Sequence, residues 1–271
     1  MNTPTRSIGD LLREWRQRRR LSQLDLACDA EISTKHLSFL ETGRARPSRE
    51  MVLHLADRLA VPLRDRNTML EAGGFPESYQ ERPLQDPEFR AARQGIDLIL
   101  AAHEPFPAMA IDRHWTLVAA NKSVANLTTG ADPLLLTPPV NIIRLSLHPA
   151  GLAPRIINLA EWRTHMIDRL LHQIEITGDP VLTDLVEEVR DYPQPPGRPR
   201  PRDHEVVAVP LRLATIHGPL TFFGTTTVFG TPVDITLAEL AIESYFPADP
   251  GTAAIMRRLA ETPVAARAAT G

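Results

Sequence analysis

Between residues 7 and 75 the chain falls into five short segments of helical apolar period, punctuated by serines and glycines. That pattern admits little besides a compact helical domain. Residues 7–20 place Ile8, Leu11, Leu12 and Trp15 on one helical face and the arginines mostly on the other. Ser22 suits the cap of a helix from Gln23 to about Ala30, and Ser33 that of a helix to about Thr42, which Gly43 stops. Between these two helices, residues 29–32 read as a tight turn with Ile32 entering the core. A fourth helix over 48–59 turns Met51, Val52, Leu55 and Leu59 inward, and a fifth runs from after Pro62 to Gly73 and Gly74.

At 271 residues the chain has room for about two domains, since a typical one takes roughly 150. The expected division is a helical domain over 1–75, a linker rich in Pro, Gln and charge over 76–87, a second domain over 88–262 and a small-residue tail over 263–271. Residues 86–103 regain helical period through Phe89, Ile96, Ile99 and Leu100. Residues 106–112 and 115–119 read as strands around a turn at 112–114. Helices are expected over 141–147, 158–177, 180–192 and 252–260, and further strands over 204–213, 219–229 and 235–246. Residues 193–202 hold five prolines and read as an exposed connection. The second domain is thus expected to be α+β, with an antiparallel sheet of about five strands.

The net charge of −3 hides an asymmetry. Residues 1–66 hold 13 Lys and Arg against 9 Asp and Glu, and the remainder holds 17 against 24. A head at +4 on a body at −7 suits nucleic-acid contact at one end. A single cysteine, Cys28, excludes an intrachain disulfide and a multi-cysteine metal site, and it reads as a small buried side chain within its helix. No apolar run approaches the roughly 18 residues of a membrane span. Ile8, Leu11 and Leu12 run at once into arginines, so no export signal is expected there and the protein is expected in the cytoplasm.

The second and third helices with their turn have the proportions of a helix-turn-helix, a double-stranded DNA reader. On the third, Leu37 and Leu40 share a side with His36, whereas Thr34, Lys35 and Ser38 share the other with Phe39 at its margin. Ser33, Thr34, Lys35, Ser38 and Phe39 are therefore candidates for base edges in the major groove. Gln23, Arg44 and Arg46 are candidates for phosphates. Residues 11–75, above all Leu21-Ser22-Gln23 and the run from Ser33 to Arg44, resemble the Xre and phage-repressor type of helix-turn-helix. The resemblance implies that Arg16 pairs with Glu41, locking the reading helix to its bundle.

A second resemblance covers nearly the whole chain. The run from Pro139 to Pro149, the run from Leu152 to Trp162, His114-Trp115 and Phe246-Pro247-Ala248-Asp249 are similar to the ligand-binding domain of MmyB-like transcription regulators. That family implies an Xre-type head on a PAS-like domain enclosing a small molecule, with fatty acids as the associated ligand class. Such a ligand needs an apolar tunnel and one or two donors for its carboxylate. Phe106, Met109, Leu117, Ile143, Leu147, Trp162, Phe222 and Phe229 are tunnel candidates, and Arg144, His148, Arg155 and Asn158 are candidate donors. Two heads reading one operator would sit about 34 Å apart, so a homodimer is expected.

Catalysis is not expected. His165, Asp168 and His172 share one helical face at spacings that suit a metal, but Glu161 and Glu175 accompany them and the face reads as solvated. Lys122 beside Ser123 is the only lysine–serine neighbour in the body, with nothing further to suggest a dyad. No metal, cofactor or catalytic motif is assigned. The competing expectation is a DNA-binding regulator whose body is a ligand-free platform for dimerisation or protein docking.

Overall fold

The computed structural model describes residues 6–193 and 208–261. The chain divides into two compact units. The first takes the residues up to Arg82 with Glu175–Gly178 and Thr231–Ala238, and the second takes Pro83–Ile174, Asp179–Gly230 and Glu239 onward.

The first unit is built on five helices: α1 (Ile8–Arg18), α2 (Gln23–Asp29), α3 (Thr34–Glu41), α4 (Arg49–Arg58) and α5 (Leu63–Ala72). Serine hydroxyls start four of them. Ser7, Ser22, Ser33 and Ser48 each accept a backbone N–H three residues on, satisfying a donor that the helix itself leaves open. Leu12, Leu26, Leu37, Leu40, Leu55, Leu59, Met69 and Leu70 are fully buried in one core, with Ile32 packed against it. Cys28, expected inside, is exposed, because Leu26 and Ala27 take the inward positions of α2.

The stretch expected as a linker is tied down over its first half. Asn67, buried on α5, accepts the N–H groups of Ser78 and Tyr79 at 3.0 and 3.1 Å and donates to the Tyr79 carbonyl at 2.7 Å. One amide side chain thus serves three backbone groups.

In the second unit five strands form one sheet: β1 (Ala108–Ile111), β2 (Leu117–Ala120), β3 (Leu211–Leu213), β4 (Leu220–Val228) and β5 (Ala241–Pro247). Their order is β2-β1-β5-β4-β3, and every neighbouring pair is antiparallel, as the alternation of the sequence implies. The helices are α6 (Arg90–Ala102), α7 (Lys122–Thr128), α8 (Ile142–Leu147), α9 (Leu159–Thr177), α10 (Pro180–Asp191) and α12 (Pro250–Glu261), with a short α11 (Ile235–Ala238) belonging to the first unit. Two apolar clusters lie in this unit. The larger joins Met109, Ile111 and Phe222 to Ile143, Trp162, Leu170 and Leu182; the smaller joins Ile96 and Leu100 of α6 to Ala108, Ala110 and Ile242.

Three strand expectations change. The strand expected over 235–246 begins only at Ala241, because the Asp234 carboxylate accepts the Thr236 N–H and starts α11. The strand expected over 204–213 is limited to Leu211–Leu213 among the described residues, and 204–207 lie outside them. The strand expected from Trp115 starts two residues later. Trp115 sits in left-handed backbone at φ 65°, in a turn that the Asp112 carboxylate holds by accepting the N–H groups of His114 and Thr116. The proline-rich connection beyond Pro193 and the tail over 263–271 lie outside the described residues.

Asn67→Ala removes the partner of one carbonyl and two N–H groups on half-buried and exposed residues, so it is expected to cost about 1 to 2 kcal/mol in urea unfolding of the purified chain. A change below about 0.5 kcal/mol would show that the residues after α5 are not held by this amide.

Candidate functional site

The second helix of the α2–α3 pair carries the polar surface of the first unit. The Ser33 Oγ accepts the His36 N–H at 3.1 Å, so this hydroxyl is spent on the cap. Leu37, Leu40 and Glu41 are buried, Lys35 is exposed, and Thr34, His36, Ser38 and Phe39 are half-buried. Phe39 lies between two cations, with Lys35 Nζ 5.6 Å and Arg44 Cζ 5.9 Å from its ring centroid. Each contact of this kind is worth roughly 0.5 to 1 kcal/mol at an exposed site, enough to bias two flexible cations toward one surface. Gly43 turns the chain through φ 71° after the helix, which brings Arg44 back beside it, and Arg44 and Arg46 are exposed.

Glu41, the last residue of α3, has a fully buried side chain. Arg16 donates to both of its oxygens, Nε at 2.6 Å and Nη2 at 3.0 Å, and gives its third contact to the Leu21 carbonyl at 2.8 Å. Gln23 donates to the same carboxylate at 2.8 Å, and Arg13 Nε stands 3.7 Å away. Gln23 therefore faces Glu41 and lends its amide to the lock between helices. Burial works to raise the Glu41 pKa, but the bonds from Arg16 and Gln23 and the charges of both arginines outweigh it and hold the carboxyl below its ordinary 4.5. Gly9 completes this arrangement. A Cβ built there would come within 2.7 Å of the Leu40 and Glu41 carbonyls, so only glycine lets α1 approach the end of α3 so closely.

In the second unit the candidate tunnel residues are mostly brought together. Met109, Ile143, Leu147, Trp162 and Phe222 belong to the larger apolar cluster, with Phe106 and Leu117 packed against it. Phe229 is the exception and packs against the smaller cluster. The indole N–H of Trp162 is satisfied by Ser146 Oγ at 2.9 Å.

The candidate donors are all engaged with the protein. Arg144 Nε and Nη2 bond the Glu188 carboxylate at 2.9 and 2.7 Å, and that carboxylate also accepts from the Tyr192 hydroxyl at 2.6 Å. Arg155 donates to the carbonyls of Leu127 and Thr129 at 3.0 and 2.6 Å, and burial lowers its pKa. Asn158 donates to Pro210 O and accepts the Arg212 N–H, which fixes the start of β3. His148 Nδ1 accepts the Ala150 N–H, and its ring meets Tyr192 edge-on at 5.1 Å.

A polar cluster that the sequence reading did not single out lies between α9 and the sheet. Arg169 of α9 donates to both Glu243 oxygens at 3.0 and 2.8 Å and to Thr226 Oγ1 at 3.0 Å, and Thr226 donates on to Glu243 at 2.8 Å. The guanidinium lies 4.5 Å over the Trp115 ring, whose N–H is held by Gln173 at 3.0 Å. Burial works to lower the Arg169 pKa, and the Glu243 carboxylate more than offsets it. These residues come from four separate segments, around 115, 169–173, 226 and 243, so no local motif could have announced them.

On the α9 face read as solvated, Asp168 and His172 are exposed, and the half-buried His165 ring lies 5.6 Å from Trp162. The Ser123 hydroxyl donates to Glu104 at 2.6 Å. Among the described residues no group of three or more His, Cys, Asp or Glu is placed to hold a metal, and no helix is long and apolar enough to cross a membrane.

Comparison with known families gives two matches. Residues 92–259 match the MmyB-like transcription regulator ligand binding domain, and residues 7–69 match a helix-turn-helix domain. No curated protein matches the chain.

A carboxyl with a depressed folded pKa stabilises the head above its unfolded value, and that contribution disappears as pH falls through the folded value. Glu41→Gln is therefore expected to lower stability by about 2 to 4 kcal/mol at pH 7, as removal of one member of a buried pair does, with the gap to wild type narrowing below pH 4.5. Urea unfolding at pH 7 and at pH 3.5 to 4 measures this, and a gap independent of pH would remove the assignment. Gly9→Ala is expected to cost about 1 to 3 kcal/mol by overpacking against α3, measured the same way.

Proposed function

The chain belongs to the family of MmyB-like transcription regulators, its ligand-binding domain joined to a helix-turn-helix domain, and from that premise we propose that it is a sequence-specific regulator whose DNA binding is modulated by a small lipophilic, fatty-acid-like molecule. The observation that carries the DNA half is the surface of α3. Leu37, Leu40 and the Arg16–Glu41 pair hold one side of that helix to the bundle, which leaves Thr34, Lys35 and Ser38 to meet base edges. Arg44 and Arg46 follow the helix and supply phosphate contacts, and Phe39 gathers Lys35 and Arg44. The protein works as a homodimer in the cytoplasm, with the two heads reading half-sites about 34 Å apart.

The observation that supports the ligand half is the apolar cluster around Phe222 and Trp162 beside a sheet with buried polar groups, the combination that a lipophilic ligand with one polar end requires. Binding shifts a pre-existing equilibrium between DNA-competent and incompetent states. A ligand-free platform is the second reading. It is favoured by one observation: Arg144, Arg155 and Asn158 already bond within the protein, and a carboxylate would have to displace those partners.

Operator binding by the purified chain, with and without lipids extracted from it in organic solvent, tests the proposal as a whole. A lipid that changes operator affinity supports the sensor, whereas no extractable molecule and no thermal shift across a lipid panel favours the platform. For the head, Lys35→Ala is expected to relax discrimination between operator and random DNA by about ten-fold. Arg44→Ala is expected to weaken both alike and to reduce the salt slope by about 1. Equal losses on both DNAs for Lys35→Ala would remove it from base reading.

A further inference from the structure

Phe39 is an apolar side chain on a polar surface. Its ring is half-buried, yet it is not among the half-buried residues that pack against the core of the first unit, as Ile32 and Ala45 do. It meets two cations instead, Lys35 Nζ at 5.6 Å and Arg44 Cζ at 5.9 Å from the ring centroid. Phe39 follows Lys35 by four residues on α3, so the two are surface neighbours about 6 Å apart along the helix. Packing in the core therefore does not account for an aromatic residue at this position.

The rest of α3 narrows what this surface can recognise. In the major groove adenine is selected by the paired donor and acceptor of an Asn or Gln amide, and cytosine by a carboxylate that accepts from its amino group. Thr34–Glu41 includes no Asn, Gln or Asp, and its one carboxylate, Glu41, is buried and bonded to Arg16 and Gln23. The hydroxyls of Thr34 and Ser38 can donate or accept and so do not discriminate, and Thr42 spends its proton on the Ser38 carbonyl at 2.7 Å. Lys35 supplies a donor for guanine O6 or N7. On the outer side of α3 no polar side chain remains that selects an A·T pair by paired hydrogen bonds.

We propose that Phe39 reads the C5 methyl group of thymine, the one apolar group that a base pair presents in the major groove. The inference rests on the DNA-reading role given to α3 above and names the bases that this helix selects. Contact with the methyl group gives the exposed part of the ring an apolar partner that no other base edge offers. Lys35 and Arg44 are attracted to the ring and also to guanine and phosphate, so they bring it to the groove. Base pairs follow one another every 3.4 Å or so, and the roughly 6 Å between Lys35 and Phe39 then spans about two of them. Each half-site is expected to hold a guanine and a thymine within about two base pairs of each other.

The test selects duplexes from a random pool with the full chain, then replaces each thymine of the selected site by uracil, which removes only the C5 methyl. At one thymine in each half-site, within about two base pairs of a guanine, the replacement is expected to weaken binding about four-fold, the equivalent of one buried methyl group. Phe39→Ala is expected to bind the thymine and uracil forms equally, and Phe39→Leu to keep part of the difference. With cytosine or 5-methylcytosine at the same position, the wild type is expected to prefer the methylated base and Phe39→Ala to show no preference. Each comparison is a ratio of two affinities for one protein, so a general weakening of Phe39→Ala does not mimic the result. Uracil tolerated at every selected thymine, or a methyl response that survives intact in Phe39→Ala, overturns the assignment and leaves α3 as the DNA-reading helix. A pool from which the chain enriches no sequence removes that role and this inference together.

Discussion

A carboxylate removed from water must have its charge answered by neighbours, and in this protein that requirement fixes the geometry of both units. Glu41 ends α3 with its side chain fully buried, and α1 and α2 are arranged to answer it, Arg16 from one and Gln23 from the other. Three helices are thereby tied to one anion. Surface ion pairs contribute little because water already solvates their members, whereas a buried pair resists separation since either charge alone would be stranded. The direction in which α3 presents Thr34, Lys35 and Ser38 is set by that tie and by the absence of a side chain at Gly9.

The same constraint recurs between α9 and the sheet. Glu243 of β5 is answered by Arg169, and the guanidinium in turn rests on Trp115, whose strained turn Asp112 stabilises. The result is a polar patch, balanced in charge, set into an otherwise apolar cluster. Arg144, Arg155 and Asn158 hold helix ends and strand starts together, a structural use of residue types that a sequence invites one to read as ligand donors.

What could be read in advance follows physical range. The serine caps lie within three residues of the N–H groups they serve, so Ser22 and Ser33 mark their helices in the sequence itself. The β4 strand was expected close to its observed bounds from its run of aromatic and β-branched residues, as was the existence of an antiparallel sheet. At 235 the alternation misled, since a single Asp234 side-chain bond suffices to start a helical turn before β5. Burial of Cys28 was misjudged for a similar reason: a seven-residue helix has few inward positions, and Leu26 and Ala27 fill them. Asn67, Gly9 and Arg169 gave no local signal. Their roles depend on partners 11 or more residues away, and nothing in the neighbouring residues names those partners.

The sequence by itself determined the helical head with its capped third helix, the α+β body with its antiparallel sheet, the charge contrast between them and the family to which both belong. Those properties rest on local period, composition and motif, all of which are written along the chain. Only the tertiary structure decided which polar groups are spent and which are left over. It paired Arg144 with Glu188, turned Gln23 toward Glu41 and closed Arg169 on Glu243. Hydrogen bonding and desolvation act over a few ångströms in space, and residues 74 apart become neighbours only when the chain has folded.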